Sequence, residues 1–413
     1  MTALSINSER LWNSLMELAR IGATPAGGVC RLALTELDRQ GRELVSGWAK
    51  EAGCTIRVDE IGNIFARREG RDQTLAAVAA GSHIDTQPTG GKFDGNYGVL
   101  AALEVFRTLN DHDVLTQHPL EMAIWTNEEG SRFVPVMMGS GVYAGCFSLE
   151  SALQATDRDG ITVASALKDI GYAGTEPAAL AAGAPRFAAY FEAHIEQGPV
   201  LEDADVTIGA VTGALGQRWY DVTVTGREAH AGPTPMALRL DALQAATRLM
   251  EETVAIAQRY APHGRGTVGM VDVFPNSRNV IPGRVKFSVD LRNIDDVSLV
   301  GMDAEIRSAC EKVAAATRTV VQIEPVVSFA PTPFAPDLVD DVRKGAALRG
   351  YSCMDIVSGA GHDAVYVAGQ LPVAMIFVPC KDGISHNEIE DAKPEHLAAG
   401  CNVLLDAMLR AAS

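Results

Sequence analysis

Hydrophobic positions in the first part of the chain recur with the periods of helices and of buried strands. Apolar residues at helical spacing predict helices over 8–19, 30–52 and 98–109. Strand, loop, helix and strand alternate in an order typical of an α/β domain with a mostly parallel sheet. The short apolar runs that predict strands lie at 54–58, 63–67, 75–82 and 120–126.

The pattern changes after about residue 211. Alternating runs predict half-exposed strands, and Thr234-Pro235 predicts a helix start that runs to about Tyr260, because a capping threonine precedes a proline. A further helix is predicted over 297–315. The resulting order, strand–helix–strand–strand–helix–strand, is ferredoxin-like. The alternating runs lie at 219–225, 267–274, 285–292 and 320–327.

The last part of the chain returns to the first pattern, with a buried strand at 371–379 and a final helix at 394–411. A length of 413 residues also favours two domains. We therefore predict a two-domain α/β protein. Segments 1–211 and 331–413 form one α/β domain, and a ferredoxin-like α+β domain is inserted over 212–330.

Charge and cysteine usage limit the partners and the compartment. A formal net charge of −17 disfavours nucleic acid and anionic membranes, because phosphates repel an acidic surface. No run of about 18 apolar residues occurs, so no membrane span is expected, and the N-terminal segment lacks the apolar core of a signal peptide. Seven scattered cysteines without a CxxC pair indicate reduced thiols and a cytoplasmic protein.

Polar clusters follow several predicted strands, where open α/β sheets place their active sites. Imidazole nitrogens and carboxylate oxygens suit zinc, manganese or cobalt, so the set predicts a metal site and makes the two-segment α/β domain the metal-binding catalytic domain. Singly, each cluster also fits a polar surface loop, a solvated acidic turn or a helix start. The clusters contain His83 with Asp85, Glu128 with Glu129, His194 with Gln197, and His386.

The spacing within the clusters suggests a chemical role for each of their members. Asp85 is close enough to His83 to orient its imidazole. Asp94 lies in a glycine-rich loop that can place a carboxylate between two metal ions. Of the adjacent glutamates, one can bind metal while the other acts as a general base.

Eight motifs spread over about residues 10–411 resemble those of one enzyme group, the amidase/hydantoinase/carbamoylase family of dinuclear-metal amidohydrolases. This group includes N-carbamoyl-L-amino-acid hydrolases, β-ureidopropionases and allantoate amidohydrolases, and is related to metal-dependent aminoacylases and peptidases. In chain order the motifs are GSHIDTQPTGGKFDG, TNEEGSRF, EAHIEQGP, GREAHAGPTP, PNSRNVIPG, DLRN, SGAGHDA and SHNEIE.

The resemblance implies two divalent metal ions per subunit, zinc or else manganese, cobalt or nickel. It makes Glu128 the general base and Asp85 the support of His83. The inserted domain would be a lid that also forms a homodimer, and its His230 would stabilise the oxyanion in its own or the partner subunit. The implied metal ligands are His83, Asp94 and His194 for one ion, with Asp94 bridging to a second ion held by Glu129 and His386.

The resemblance also implies a set of substrate-binding residues. A planar guanidinium at Arg292 suits a substrate carboxylate, and Asn279 can add a hydrogen bond. Taken alone, Arg292 also fits a surface ion pair, and His230 fits an ordinary turn. The implied set is Gln197, Asn279, Arg292, Gly361 and His362.

The predicted reaction is hydrolysis of the carbamoyl C–N bond of N-carbamoyl-L-amino acids, or of N-carbamoyl-β-alanine, to amino acid, CO2 and ammonia. The substrate is then a small molecule. Alternatives are an allantoate amidohydrolase, an aminoacylase or peptidase-like hydrolase, and a non-catalytic binding protein on the same fold.

Overall fold

A computed structural model describes residues 4–413 and divides this part of the chain into two compact units. The first comprises the described residues up to Thr212 together with Pro333–Ser413, and the second is Gly213–Thr332. The predicted two-domain α/β class is confirmed. Within residues 4–413, no helix combines the length and the apolar character needed to cross a bilayer.

The strands of the described chain belong to two large sheets and one short ribbon. Numbered along the chain, they are β1 (Thr55–Val58), β2 (Ile64–Arg68), β3 (Val78–His83), β4 (Leu120–Trp125), β5 (Ala189–Ile195), β6 (Ile208–Ala214), β7 (Gly216–Thr225), β8 (Ala229–His230), β9 (Arg265–Thr267), β10 (Val271–Phe274), β11 (Val280–Ile281), β12 (Arg284–Asn293), β13 (Val320–Phe329), β14 (Thr332–Pro333), β15 (Cys353–Ser358) and β16 (Val373–Val378).

The α-helices of the described chain are numbered in the same way. They are α1 (Ser8–Leu18), α2 (Glu36–Glu51), α3 (Asn96–Asp111), α4 (Met138–Ala144), α5 (Leu149–Gln154), α6 (Val163–Asp169), α7 (Val200–Asp203), α8 (Ala242–Arg259), α9 (Asp296–Thr317), α10 (Pro336–Arg349), α11 (Asp363–Ala368) and α12 (Pro394–Ala411).

The sheet of the first unit has nine strands within residues 4–413, in the order β1-β2-β4-β3-β5-β16-β6-β14, and β15 also pairs with β6. The four central strands β4, β3, β5 and β16 are parallel, whereas β1, β2 and β6 pair antiparallel. The expectation of a mostly parallel sheet therefore holds only for the centre. Every residue of the four central strands is buried, as is typical of parallel strands covered on both faces.

The second unit has a five-stranded antiparallel sheet in the order β10-β12-β7-β13 among its described residues, with β9 also pairing with β12. Helices α8 and α9 contact each other and this sheet. Alternate residues of β12 are buried, so one face of the strand forms the core with residues such as Leu249 and Ile306. The connectivity is the predicted ferredoxin-like order.

Helix α2 begins at Glu36, not at residue 30 as predicted, because residues 30–35 are used in other contacts. The main-chain amide of Arg31 donates to Thr86 Oγ1, and the Thr86 amide donates to the Arg31 carbonyl oxygen. The side chain of Thr35 then caps the helix by accepting from the Asp38 amide.

The predicted helix start at Thr234-Pro235 is wrong. Helix α8 begins at Ala242, because Asp241 Oδ1 accepts from the amides of Leu243 and Gln244 and thereby caps it. The hydroxyl of Thr234 donates instead to the carbonyl oxygen of His230. The predicted single strand at 267–274 is also wrong, since it is interrupted between β9 and β10.

Candidate metal centre

The carboxyl ends of the parallel strands bring the predicted metal ligands together in the first unit. His83 is the last residue of β3, and His194 is the penultimate residue of β5. Asp94 lies in the loop before α3 and is buried at the centre of the cluster. The other two members follow the strands β4 and β16 and are Glu129 and His386.

One group consists of His83, Asp94 and His194. The Nε2 atom of His83 lies 3.7 Å from Asp94 Oδ1, and the Nε2 atom of His194 lies 3.2 Å from the same oxygen. All three residues are buried, and their ligand atoms lie within 4.8 Å of one another, so they could hold a metal ion.

A second group uses the other oxygen of the same aspartate. His386 Nε2 lies 3.2 Å from Asp94 Oδ2 and 3.3 Å from Glu129 Oε2. The ligand atoms of Asp94, Glu129 and His386 also lie within 4.8 Å of one another, so these residues could hold a second ion. Asp94 therefore has one carboxylate oxygen in each group, which is the arrangement that a bridging ligand requires.

The hydrogen bonds of the histidines fit metal binding. His83 Nδ1 lies 2.9 Å from the Asp85 carbonyl oxygen, and His194 Nδ1 lies 2.8 Å from the Ile195 carbonyl oxygen. A carbonyl oxygen only accepts, so both Nδ1 atoms carry a hydrogen. Each Nε2 then directs its lone pair toward the Asp94 side of the cluster, where a metal ion could bind, and the Gly95 amide donates to His194 Nε2 over 3.1 Å.

The pKa values show that Asp94 attracts positive charge. Burial lowers the pKa of His83 to about 4. Burial opposes protonation of His194 as well, but the hydrogen bond with Asp94 raises its pKa to about 9. The hydrogen bond with Asp94 likewise raises the pKa of His386 to about 9.

Burial and the nearby carboxylates disfavour the ionised forms of the two neighbouring glutamates, Glu128 and Glu129. Burial, followed by the charges of Asp363 and Glu129, raises the pKa of Glu128 well above its ordinary value. Burial and the charge of Asp94 raise the pKa of Glu129 to about 8. A divalent cation beside these carboxylates would offset both effects.

Asp85 contributes to the site in a different way from the one predicted. Its carboxylate oxygen is 3.8 Å from His83 Nδ1, so the main-chain oxygen orients the imidazole instead. The two carboxylate oxygens accept from the amides of Glu128, over 3.3 Å, and Glu129, over 3.2 Å. Asp85 therefore fixes the peptide that carries both glutamates, and Glu128 Oε2 lies 3.5 Å from His83 Nε2.

Several side chains that hold the ligands were not identified from the sequence. Gln87 donates to Glu129 through both its main-chain amide, over 3.1 Å, and its Nε2, over 2.7 Å. Ser385 lies 3.0 Å from Asp94 Oδ2, and Glu390 accepts from the Asp94 amide. Ser385 and Glu390 flank His386 in SHNEIE, so the motif contained the signal.

Two glycines allow the loop around Asp94 to approach its partners. Gly95 has a φ of +67°, and a Cβ atom there would overlap the imidazole of His83. A Cβ atom at Gly91 would overlap the carboxylate of Glu390. The glycine-rich sequence therefore allows the loop that carries Asp94 to lie against both His83 and Glu390.

Three predicted substrate-binding residues lie in the same unit as this cluster. Gln197 donates from Nε2 to Asp94 Oδ2 over 2.9 Å. The ring centroids of His362 and His194 are 4.5 Å apart, and His362 Nε2 is buried without a partner among the described residues. Gly361 lies against Met137.

A third group of possible ligands, Glu192, His194 and His362, lies beside the first. His194 Nδ1 is used by the Ile195 carbonyl oxygen, and its Nε2 faces Asp94. His194 therefore has no second nitrogen for a separate ion. Glu192 instead accepts from Ser82 Oγ and from the Ala364 amide and connects strand β3 to helix α11.

The remaining predicted site residues belong to the second unit. His230 pairs with Val280 in the ribbon of β8 and β11, and the Ala231 amide donates to the Asn279 carbonyl oxygen over 2.8 Å. This ribbon makes His230 and Asn279 neighbours. Arg292 lies in β12 and forms an ion pair with Asp290 at 2.7 Å.

Comparison with known proteins gives consistent matches over the whole length. The profile of peptidase family M20/M25/M40 matches residues 79–410. An N-carbamoyl-L-amino-acid amidohydrolase of Rhizobium meliloti is 47% identical over 98% of this chain and 97% of its own length. An N-carbamoyl-L-amino acid amidohydrolase of Geobacillus stearothermophilus is 40% identical over 97% of both chains.

Further matches include a more distant relative and a solved structure. An allantoate amidohydrolase of Bacillus subtilis (strain 168) is 34% identical over 96% of this chain and 95% of its own. The crystal structure of an amidase of the hydantoinase/carbamoylase family from Burkholderia multivorans superposes with a TM-score of 0.96. It is 56% identical and covers 99% of this chain and 98% of that one.

Proposed function

The chain belongs to peptidase family M20/M25/M40, a family of metal-dependent hydrolases, and we propose that it hydrolyses the carbamoyl C–N bond of N-carbamoyl-L-amino acids. The resemblance to hydantoinase/carbamoylase amidases is confirmed by the relatives above. The observation that carries the proposal is the position of Asp94, whose two carboxylate oxygens face two separate groups of ligands.

The chemistry of the substrate explains why such a site is needed. A ureido carbonyl is a poor electrophile, because two nitrogens donate electrons into it. Divalent metal ions would polarise its oxygen and lower the pKa of a water molecule. We assign one ion to His83, Asp94 and His194, and a second to Asp94, Glu129 and His386, with zinc, manganese, cobalt and nickel as candidates.

Glu128 is the proposed general base. Its carboxylate lies beside the first group, and Asp85 holds its main-chain amide in place. Glu128 takes a proton from the attacking water and returns it to the leaving nitrogen. One water is consumed, and the products are the amino acid, CO2 and ammonia.

The remaining predicted residues are assigned to substrate binding. His230 donates a hydrogen bond to the oxyanion that forms at the ureido carbon. Arg292 binds the substrate carboxylate, and Asn279 adds a hydrogen bond to it. Gln197 and the Gly361-His362 segment contact the rest of the substrate.

We also propose that the inserted unit serves as a lid and joins two chains in a cytoplasmic homodimer. The lid would exclude bulk water during the reaction. All seven cysteines are free, in agreement with a reducing compartment. Light scattering of the purified protein would give a dimeric mass, and a monomeric mass at micromolar concentration would contradict the dimer.

A substrate panel tests the proposed reaction. Metal-reconstituted protein is assayed for ammonia release from N-carbamoyl-L-α-amino acids, their D forms, N-carbamoyl-β-alanine and allantoate, and for amine release from an N-acetyl amino acid. Turnover of L-carbamoyl substrates is expected. If no carbamoyl compound released ammonia while metal ions were bound, the proposed carbamoyl hydrolysis would be contradicted.

One alternative is supported by a specific relative. The allantoate amidohydrolase of Bacillus subtilis shares 34% identity, against 47% for the Rhizobium carbamoyl relative. Ammonia release from allantoate alone would identify allantoate as the substrate and leave the assignment of the metal ligands unchanged.

A further inference from the structure

Arg31 is a buried cation whose hydrogen-bond acceptors are all uncharged, while the charges of Asp38 and Asp85 act on it from beyond ion-pairing distance. Its side chain is inaccessible to solvent, and burial lowers its pKa to about 10. Among the described residues, no carboxylate lies within ion-pairing distance of the guanidinium. A buried arginine is usually paired with an acid, because an uncompensated charge is costly to remove from water.

The guanidinium joins the two segments that carry the first pair of proposed ligands. Its Nε donates over 2.8 Å to the carbonyl oxygen of Ile84, the residue between His83 and Asp85. One NH2 group donates over 2.6 Å to Asn96 Oδ1.

Asn96 carries the connection to Asp94. Its main-chain amide and its Nδ2 both donate to the Asp94 carbonyl oxygen, over 2.7 and 3.1 Å. The remaining NH group of Arg31 donates to the carbonyl oxygens of Leu18 and Ile21 at the end of α1. One planar group therefore fixes the end of β3, the start of α3 and the end of α1.

We propose that Arg31 is a positioning residue that sets the spacing between His83 and Asp94 for metal binding. It touches neither ligand side chain and acts through Ile84 and Asn96. The inference rests on the proposed metal-binding role of these residues. Groups that orient metal ligands typically change metal affinity or activity by about 10–100-fold when they are removed.

Arg68 provides a matched control in the same unit. It is also a buried arginine with uncharged hydrogen-bond acceptors, since it donates to Asn110 Oδ1 over 2.9 Å and to the Val114 carbonyl oxygen over 2.6 Å. These contacts join β2 to the end of α3 and involve no proposed ligand. Arg68→Lys therefore reproduces the loss of a buried guanidinium without touching the metal centre.

The experiment compares Co²⁺ affinity of metal-free wild type, Arg31→Lys and Arg68→Lys by competition with a chelating indicator. A lysine keeps the charge but cannot reach Ile84 and Asn96 together with the end of α1. We expect Co²⁺ affinity to fall by about 10–100-fold in Arg31→Lys and to stay unchanged in Arg68→Lys. Excess metal should then restore turnover of Arg31→Lys, with an unchanged KM.

A second variant tests the same path without removing the cation. Asn96→Ala breaks the connection between Arg31 and the Asp94 carbonyl oxygen, and it should also weaken Co²⁺ binding. Wild-type affinity in both Arg31→Lys and Asn96→Ala would overturn the inference, and so would an equal loss in Arg31→Lys and Arg68→Lys. A wild-type protein that binds no Co²⁺ would overturn the metal centre itself, and the inference with it.

Discussion

The Nδ1 atom of His83 lies 2.9 Å from the main-chain oxygen of Asp85, and the carboxylate of Asp85 points elsewhere. The carboxylate accepts from the amides of the two glutamates that follow β4. The same residue thus orients a proposed metal ligand with its backbone and the proposed base with its side chain. We therefore expect mutation to separate these two functions.

Asp85→Ala should lower kcat and leave the metal bound at His83. The variant keeps the carbonyl oxygen that orients the imidazole but removes the acceptor for the amides of Glu128 and Glu129. We expect kcat to fall by about 10–100-fold. Metal content and kcat are measured together, and Asp85→Asn, which keeps one acceptor oxygen, should show a smaller loss. Loss of both metal ions from Asp85→Ala would show that the carboxylate is needed for His83, whereas loss of one ion would be explained by Glu129, whose amide it also holds.

Glu128→Gln should abolish most turnover without releasing metal. The amide cannot accept a proton, and general base catalysis typically contributes about 10²–10⁴-fold to the rate. Steady-state kinetics with measured metal content check this. Glu43→Gln, an exposed change on α2, is the control and should behave as wild type. Near-normal turnover of Glu128→Gln with metal bound would show that Glu128 is not the general base.

The proximity of the metal-binding candidates could be predicted from the sequence because it follows from the topology. The carboxyl ends of parallel strands meet at one edge of a sheet, so His83, Glu129 and His194 had to lie near one another once the strands were recognised. Their catalytic and metal-binding roles remain predictions.

Contacts between distant segments could not be predicted in the same way. Gln87 and Glu390 hold the ligands through hydrogen bonds whose partners depend on side-chain geometry, which no periodicity encodes. The helix start predicted at Thr234-Pro235 was wrong for the same reason, because the sequence does not show which hydrogen bond a threonine side chain forms. It can cap a helix or, as here, donate to a nearby carbonyl oxygen. Asp241 provided the actual cap.

Arg42→Met should destabilise the first unit strongly. Arg42 and Asp38 are both buried, and Arg42 Nε donates to Asp38 Oδ2 over 2.8 Å. Removing the arginine leaves an unpaired buried carboxylate, which typically costs about 3–5 kcal/mol. Urea unfolding measures the change.

The control for this prediction is Arg39→Met on the same helix. Arg39 pairs with Glu36 and Glu43 at a partly exposed position, so its loss should lower the free energy of unfolding far less than the loss of Arg42 does. Equal losses of unfolding free energy in the two variants would contradict the importance of the buried pair.

The unfolding free energy should fall between about pH 4 and pH 7 because of Asp59. Burial raises the pKa of this carboxyl from 3.8 to about 7 in the folded chain, although amide donors at Asn63 and Ile61 favour its charged form. The folded state therefore binds the proton more tightly than the unfolded chain. The stabilisation is complete below the unfolded pKa and is lost as the pH rises through about 7.

Asp59→Asn removes this titration and serves as the comparison. The difference in unfolding free energy between wild type and variant should change by at most about 4 kcal/mol between pH 4 and pH 8, with wild type losing stability. Urea unfolding at several pH values measures both proteins. Parallel pH profiles would show that the carboxyl titrates normally.

The central claim is that two metal ions, sharing Asp94, are required for carbamoyl hydrolysis. The most direct measurement is ammonia release from an N-carbamoyl-L-amino acid by chelator-treated protein as a divalent metal is added in known equivalents. We expect no turnover without metal and a plateau at two equivalents per chain. Full turnover by the metal-free protein, or a plateau at one equivalent, would contradict the claim.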